Sequence, residues 1–179
     1  MQGAGRRPAI DFAVCEPHPK ISVAVESKWI RRRTKISVES ILWDLIRLEL
    51  VAHYENAKCY FVLGGKRKNL KALFNASTFS DSATVRYPKP LLRHEQNGLH
   101  RVSLVPTVGV RIPMLKRLFK DYQDLEFPQF LVTQRSAPFP ATQITNGFQV
   151  YVWQVTPTGR RDTFRPRNSR HYFDAQTGC

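Results

Sequence analysis

The chain has 179 residues, with 28 lysines and arginines against 14 aspartates and glutamates, a formal charge of +14. That length suffices for one domain with its own core, and apolar residues at 42 % with aromatics at 11 % argue against wholesale disorder. No uncharged apolar run approaches the roughly 18 residues of a membrane span, and the arginines near the start have no signal-like apolar stretch behind them. A folded cytoplasmic protein with no membrane partner is therefore expected. Cys15, Cys59 and Cys179 are scattered and never form a Cys-x-x-Cys pair, which excludes a disulfide framework and a four-cysteine zinc site. The surplus positive charge concentrates polyanions such as nucleic acid around the molecule.

Residues 9 to 15 and 20 to 28 are β-rich runs separated by Glu16-Pro17-His18-Pro19, a pattern that predicts a hairpin. From Ser37 to about Tyr54 the spacing of Val38, Ile41, Leu42, Leu45, Leu48, Val51 and Ala52 predicts an amphipathic helix with Ser37 as N-cap. Asp44 and Glu49 are assigned to its solvent face. Cys59 to Leu63 is an apolar run ended by Gly64-Gly65, as expected of a strand covered on both faces. The turn-rich stretch from Asn75 to Gly98 predicts a long loop or insertion. Short strands are expected within Arg101 to Val110, a helix near 114 to 122 behind Pro113, and a last strand over Phe148 to Val155. Residues 1 to 156 then form the domain, and 157 to 179, with five arginines and little apolar content, form a flexible basic tail.

The hairpin is where chemistry concentrates. With Cys15 opposite Lys20, Asp11 lies opposite Ala24, and alternation puts Asp11, Ala24, Glu26 and Lys28 on one face. The other face carries Ile10, Phe12, Val14, Ile21, Val23 and Val25 and is assigned to the core. Two carboxylates on a half-buried face are costly unless something offsets their desolvation. Mg2+ suits them, because it takes oxygen ligands and needs only one or two protein carboxylates beside waters and phosphate oxygens. Asp11 and Glu26 are the candidate ligands, with the Ser27 carbonyl a third. Lys28 is placed to position or deprotonate a water, or to neutralise a phosphate.

Asp11 on a first strand and Glu26-Ser27-Lys28 on a second, followed by helix and strand, resembles the PD-(D/E)XK nuclease superfamily over roughly residues 9 to 65. The resemblance implies an α/β fold, a restriction-endonuclease-like mixed sheet flanked by helices. It also implies Mg2+-dependent phosphodiester cleavage, Mn2+ substituting, with Asp11, Glu26 and Lys28 in the motif positions. That core begins with a helix and a strand ahead of the motif aspartate, whereas ten residues precede Asp11 here. Either the chain is an N-terminal truncation that lacks those elements, or a later segment such as Phe148 to Val155 supplies the strand, or the resemblance is partial and activity is lost.

Phosphate contacts are expected from Arg31, Arg32, Arg33 and Lys35 directly after the motif, and from Lys66, Arg67 and Lys68 after the glycines, both taken as loops leaving adjacent strands. Trp29 is a candidate for stacking on a base. Gly64-Gly65-Lys66-Arg67 lacks the spacing of a phosphate loop, and His94 with His100 lacks that of a histidine metal site. The expectation is a Mg2+-dependent endonuclease acting on DNA rather than RNA, able to act as a homodimer. The alternatives are a non-catalytic nucleic-acid-binding module and a basic structural protein assembling with RNA.

Overall fold

In the computed structural model the described residues are 10–31, 37–81, 89–95, 98–107, 109–141, 147–159 and 161–173. Arg32, Arg33, Lys35 and Cys179 lie outside them. Strands β1 (Phe12–Cys15) and β2 (Ile21–Ile30) form the expected hairpin. Helix α1 (Val38–Glu55) follows, and β3 (Lys58–Lys66) returns parallel to β2, the connection a helix crossover makes. Helices α2 (Arg67–Phe74) and α3 (Ser77–Ser80) precede β4 (Gly98–Ser103), and α4 (Ile112–Phe119) precedes β5 (Phe127–Pro128), β6 (Phe130–Arg135), β7 (Phe148–Thr156) and β8 (Thr163–Phe164). Six strands form one mixed sheet in the order β1-β2-β3-β7-β6-β4, and β5 pairs with β8.

Helix α1 begins where the sequence places it. The Ser37 side chain accepts a hydrogen bond from the Ser40 amide at 3.0 Å, Glu39 sits in the first turn, and Asn56 closes the helix in the left-handed conformation at φ 54°. Its apolar residues pack against one sheet face made of Ala24, Cys59, Phe61, Leu63, Tyr151, Trp153 and Val155. Helix α4 packs against α1, and its Phe119 joins Phe127, Phe164 and Tyr172 in an aromatic cluster with the small sheet.

Several expectations are corrected. Strand β3 runs through both glycines, which permit close approach rather than a turn: a Cβ on Gly64 would lie 2.4 Å from the Trp29 ring, and one on Gly65 2.9 Å from the Ile30 carbonyl oxygen. Arg67 and Lys68 consequently open a helix and are not loop residues. The stretch from Asn75 contains α3 and the buried Leu91 and Leu92. Arg111 ties it down by donating to the Thr78, Phe79 and Lys89 carbonyls. Strand β6 lies in a proline-marked stretch that the pattern left without an element. Strand β7 adds to the far edge of β3, so it does not supply a strand beside β1. In the basic C-terminal segment, Phe164 pairs into the small sheet and Tyr172 is buried, its hydroxyl donating to the Leu104 carbonyl.

The hairpin register also differs. Phe12 faces Val25, Ala13 faces Ala24, and Ser22 is an extra residue on β2 whose hydroxyl donates to the Val14 carbonyl. This bulge, with a connection reaching from Glu16 to Lys20, moves the pairing by two residues and so keeps the same residues on each face. The faces exchange roles, however. The Ala24, Glu26 and Ile30 side is buried under α1, while Phe12 on the other side is 59 % exposed.

Candidate active site and its charge ladder

Continuing the register one step beyond Phe12 and Val25 brings Asp11 level with Glu26. Asp11 sits just ahead of β1, exposed, and its Oδ2 accepts from the Ser27 amide at 2.8 Å and the Ser27 hydroxyl at 3.1 Å. A strand residue turns its N–H and C=O to the same side. The Ser27 carbonyl therefore points to the Asp11 side of β2, past the last pair of the β1 ladder.

Glu26 is 1 % exposed and faces α1, where its Oε1 meets the Arg47 guanidinium at 2.7 Å. The same guanidinium nitrogen lies 2.7 Å from Asp44 Oδ1, and Asp44 Oδ2 lies 2.8 Å from the Lys28 ammonium. Charges thus alternate along Glu26, Arg47, Asp44 and Lys28, the first and last on β2 and the middle two on α1. Burial pushes the Glu26 carboxyl up to about 7 from 4.5; Asp44 and Asp11 push the same way, while Arg47 and Lys28 pull it down.

Asp44 and Glu49 are therefore not on a solvent face. They are 2 % and 0 % exposed. Glu49 accepts from the Thr158 amide and hydroxyl, both at 3.0 Å, and so ties α1 to the segment after β7. Arg47, which the sequence pattern did not single out, is the link between the motif glutamate and the helix. The signal was present: Asp44 stands three or four positions from Ile41 and Leu48, inside the apolar arc, and Arg47 follows it at the i,i+3 spacing of a helix pair.

The remaining candidates among the described residues gather at one end of the sheet. Parallel pairing sets Trp29 beside Gly64 and Ile30 beside Gly65, so exposed Arg31 and exposed Lys66 are next in line on adjacent strands. Lys68 is exposed and Arg67 half-buried on the first turn of α2. Trp29 is 46 % exposed and stacks on Phe148 with ring centroids 5.6 Å apart. His94 stacks on Phe74 at 3.9 Å and His100 meets the Pro90 carbonyl at 2.7 Å, so both are absorbed in packing.

Among the described residues, no group of three or more histidines, cysteines, aspartates and glutamates gathers closely enough to hold a metal. The candidate donors at the hairpin, two carboxylates and a carbonyl, are all hard oxygens, the ligand type that Mg2+ takes. One of those oxygens, Glu26 Oε1, is shared with Arg47. No protein-family model, curated protein or solved structure matches the chain.

Proposed function

We propose that this chain is a metal-dependent nuclease that hydrolyses phosphodiester bonds in DNA, on a restriction-endonuclease-like version of its mixed sheet. The observation that carries the reading is the convergence of Asp11, Glu26 and Lys28 on one hairpin, with Lys28 held by Asp44 at 2.8 Å. The fixed ammonium complements the negative charge that develops when a phosphodiester is attacked, and the two carboxylates are the groups suited to hold a cation that would do the same.

Each residue has a part in that chemistry. Asp11 is the solvent-facing carboxylate, oriented by two Ser27 donors. Glu26 is the dry one, fixed by Arg47. Asp11, Glu26 and the Ser27 carbonyl are the groups that would hold Mg2+ or Mn2+, and the ion when bound would supply Lewis-acid stabilisation of phosphate oxygens and a more acidic water. Lys28 has three N–H donors and spends one on Asp44. The others are left for a phosphate oxygen or the attacking water, and pairing with a carboxylate favours the role of charge partner over that of base. Arg31, Lys66 and Lys68 lie at the same end of the strands and would carry the flanking phosphates.

The test is cleavage of plasmid and oligonucleotide DNA with Mg2+ or Mn2+ by the wild type, Glu26→Gln and Lys28→Ala. Salt-sensitive binding without cleavage would instead favour the non-catalytic binding module.

A further inference from the structure

Among the described residues no helix packs on the sheet face opposite α1. The strand side chains on that face include Phe12, Val25, Trp29, Val62, Phe148 and Val152, and among the described residues none on it is fully buried. At the end nearest the motif, the Trp29 ring packs close over Gly64, in space a Cβ there would fill, and stacks on Phe148 at an interplanar angle of 26°. Phe148 is 52 % exposed, and the Lys66 ammonium sits 5.7 Å from its ring centre. The strand positions facing this side carry Lys58, Lys66 and Arg101 and no aspartate or glutamate.

From this we infer that Trp29 and Phe148 form a stacking platform for unpaired bases, so that the chain takes single-stranded nucleic acid, or a frayed or flipped end, on its open sheet face. Exposed aromatic rings beside cations are what sequence-tolerant single-strand binding requires: the bases stack and the phosphates meet lysine. A paired base offers no free face to such rings. A second copy of the chain is disfavoured as occupant, because each such face carries Lys58, Lys66 and Arg101 and no acidic strand residue, so that two of them repel. Trp29 follows Lys28 directly in β2, on the opposite face, so a strand leaving the platform over the ends of β2 and β3 passes Arg31 and Lys66 toward the motif lysine.

The inference rests on the nucleic-acid part of the proposed function and not on cleavage, and its test chelates all metal so that the two stand or fall separately. Labelled oligothymidylate and a duplex of mixed sequence are titrated with the wild type, Trp29→Ala, Trp29→Phe and Phe148→Leu in EDTA, with melting curves and sedimentation of each protein alone. The platform predicts tighter binding of the single strand than of the duplex. It also predicts at least about fivefold weaker single-strand binding by Trp29→Ala and Phe148→Leu, near-wild-type binding by Trp29→Phe, and little change for the duplex. Phe148→Leu keeps apolar bulk and so decides the question if Trp29→Ala melts early. Wild-type affinity in Phe148→Leu would overturn the inference. So would a wild-type dimer that Phe148→Leu splits into monomers, since the face would then belong to a second copy.

Discussion

Replacing Glu26 by glutamine removes a charge that the fold holds in a dry place, and its effect on stability should depend on pH. The carboxyl is raised from 4.5 to about 7, chiefly by burial. A group whose folded pKa exceeds its unfolded one binds its proton more tightly in the folded state. Its contribution is fully present below pH 4.5 and is lost as the pH rises through 7. At about 1.4 kcal/mol per pKa unit, ionising Glu26 costs about 3 kcal/mol of stability at pH 8. Glutamine resembles the neutral acid at every pH, and Arg47 keeps Asp44 as its partner in the variant. Without metal, Glu26→Gln should therefore match the wild type at pH 4 and exceed it by up to about 3 kcal/mol at pH 8. For a domain of this size that is on the order of 6 to 12 °C in Tm. Urea unfolding of both proteins in EDTA at the two pH values measures the difference directly. A gap that does not change with pH, or a variant that weakens as pH rises, would mean that Arg47 outweighs burial, and the reasoning would fail.

Other outcomes follow from the same geometry. Excess Mg2+ should narrow that pH 8 gap by stabilising the wild type, by about 3 kcal/mol at a hundredfold excess over its Kd, and leave Glu26→Gln much less changed, as read by thermal unfolding. Glu49→Ala strips two hydrogen bonds from Thr158 in the interior; a loss of about 2 to 3 kcal/mol in urea unfolding is expected. Arg111→Lys should not restore the stability lost in Arg111→Ala, because an ammonium cannot span the Thr78, Phe79 and Lys89 carbonyls that the guanidinium fork reaches. The melting temperatures of the two variants compare them. Lys66→Ala should lower the slope of log affinity against log salt by about 0.7 for single strands, measured by titration at several salt concentrations.

The local signals were legible because local chemistry set them. Ser37 caps α1 as read, and the spacing of that helix and the late strand at Phe148 reflect local side-chain pattern. Cys59 to Leu63 is a strand as its apolar run implies, but it is not covered on both faces, since Cys59, Phe61 and Leu63 are buried and Tyr60 and Val62 only partly so. The grouping of Glu26 and Lys28 on one face survived a two-residue change in register for the same reason, since a shift of two leaves alternation intact. Which face is covered was not legible. Phe12, Val23 and Val25 are as apolar as a core face, and only the placement of α1 on the other side decides the matter. Asp44 and Glu49 were misread because charge suggested solvent, whereas each has partners contributed by residues distant in sequence: Lys28 on β2 and Thr158 after β7. Glycines at 64 and 65 suggested an end, but in a strand they also mark where Trp29 and the Ile30 backbone come close. Phe164 and Tyr172 are apolar residues too sparse for a pattern, and they join the core through contacts with Phe119 on α4.

The central claim is tested most directly by incubating supercoiled plasmid with the protein and Mg2+, alongside Glu26→Gln, Lys28→Ala and an EDTA control. The account predicts nicking or linearisation by the wild type with Mg2+ and none by either variant or with EDTA, while all the proteins remain folded and bind DNA. Equal cleavage by Glu26→Gln and the wild type would contradict it, as would a folded, DNA-binding wild type that cuts nothing with either Mg2+ or Mn2+.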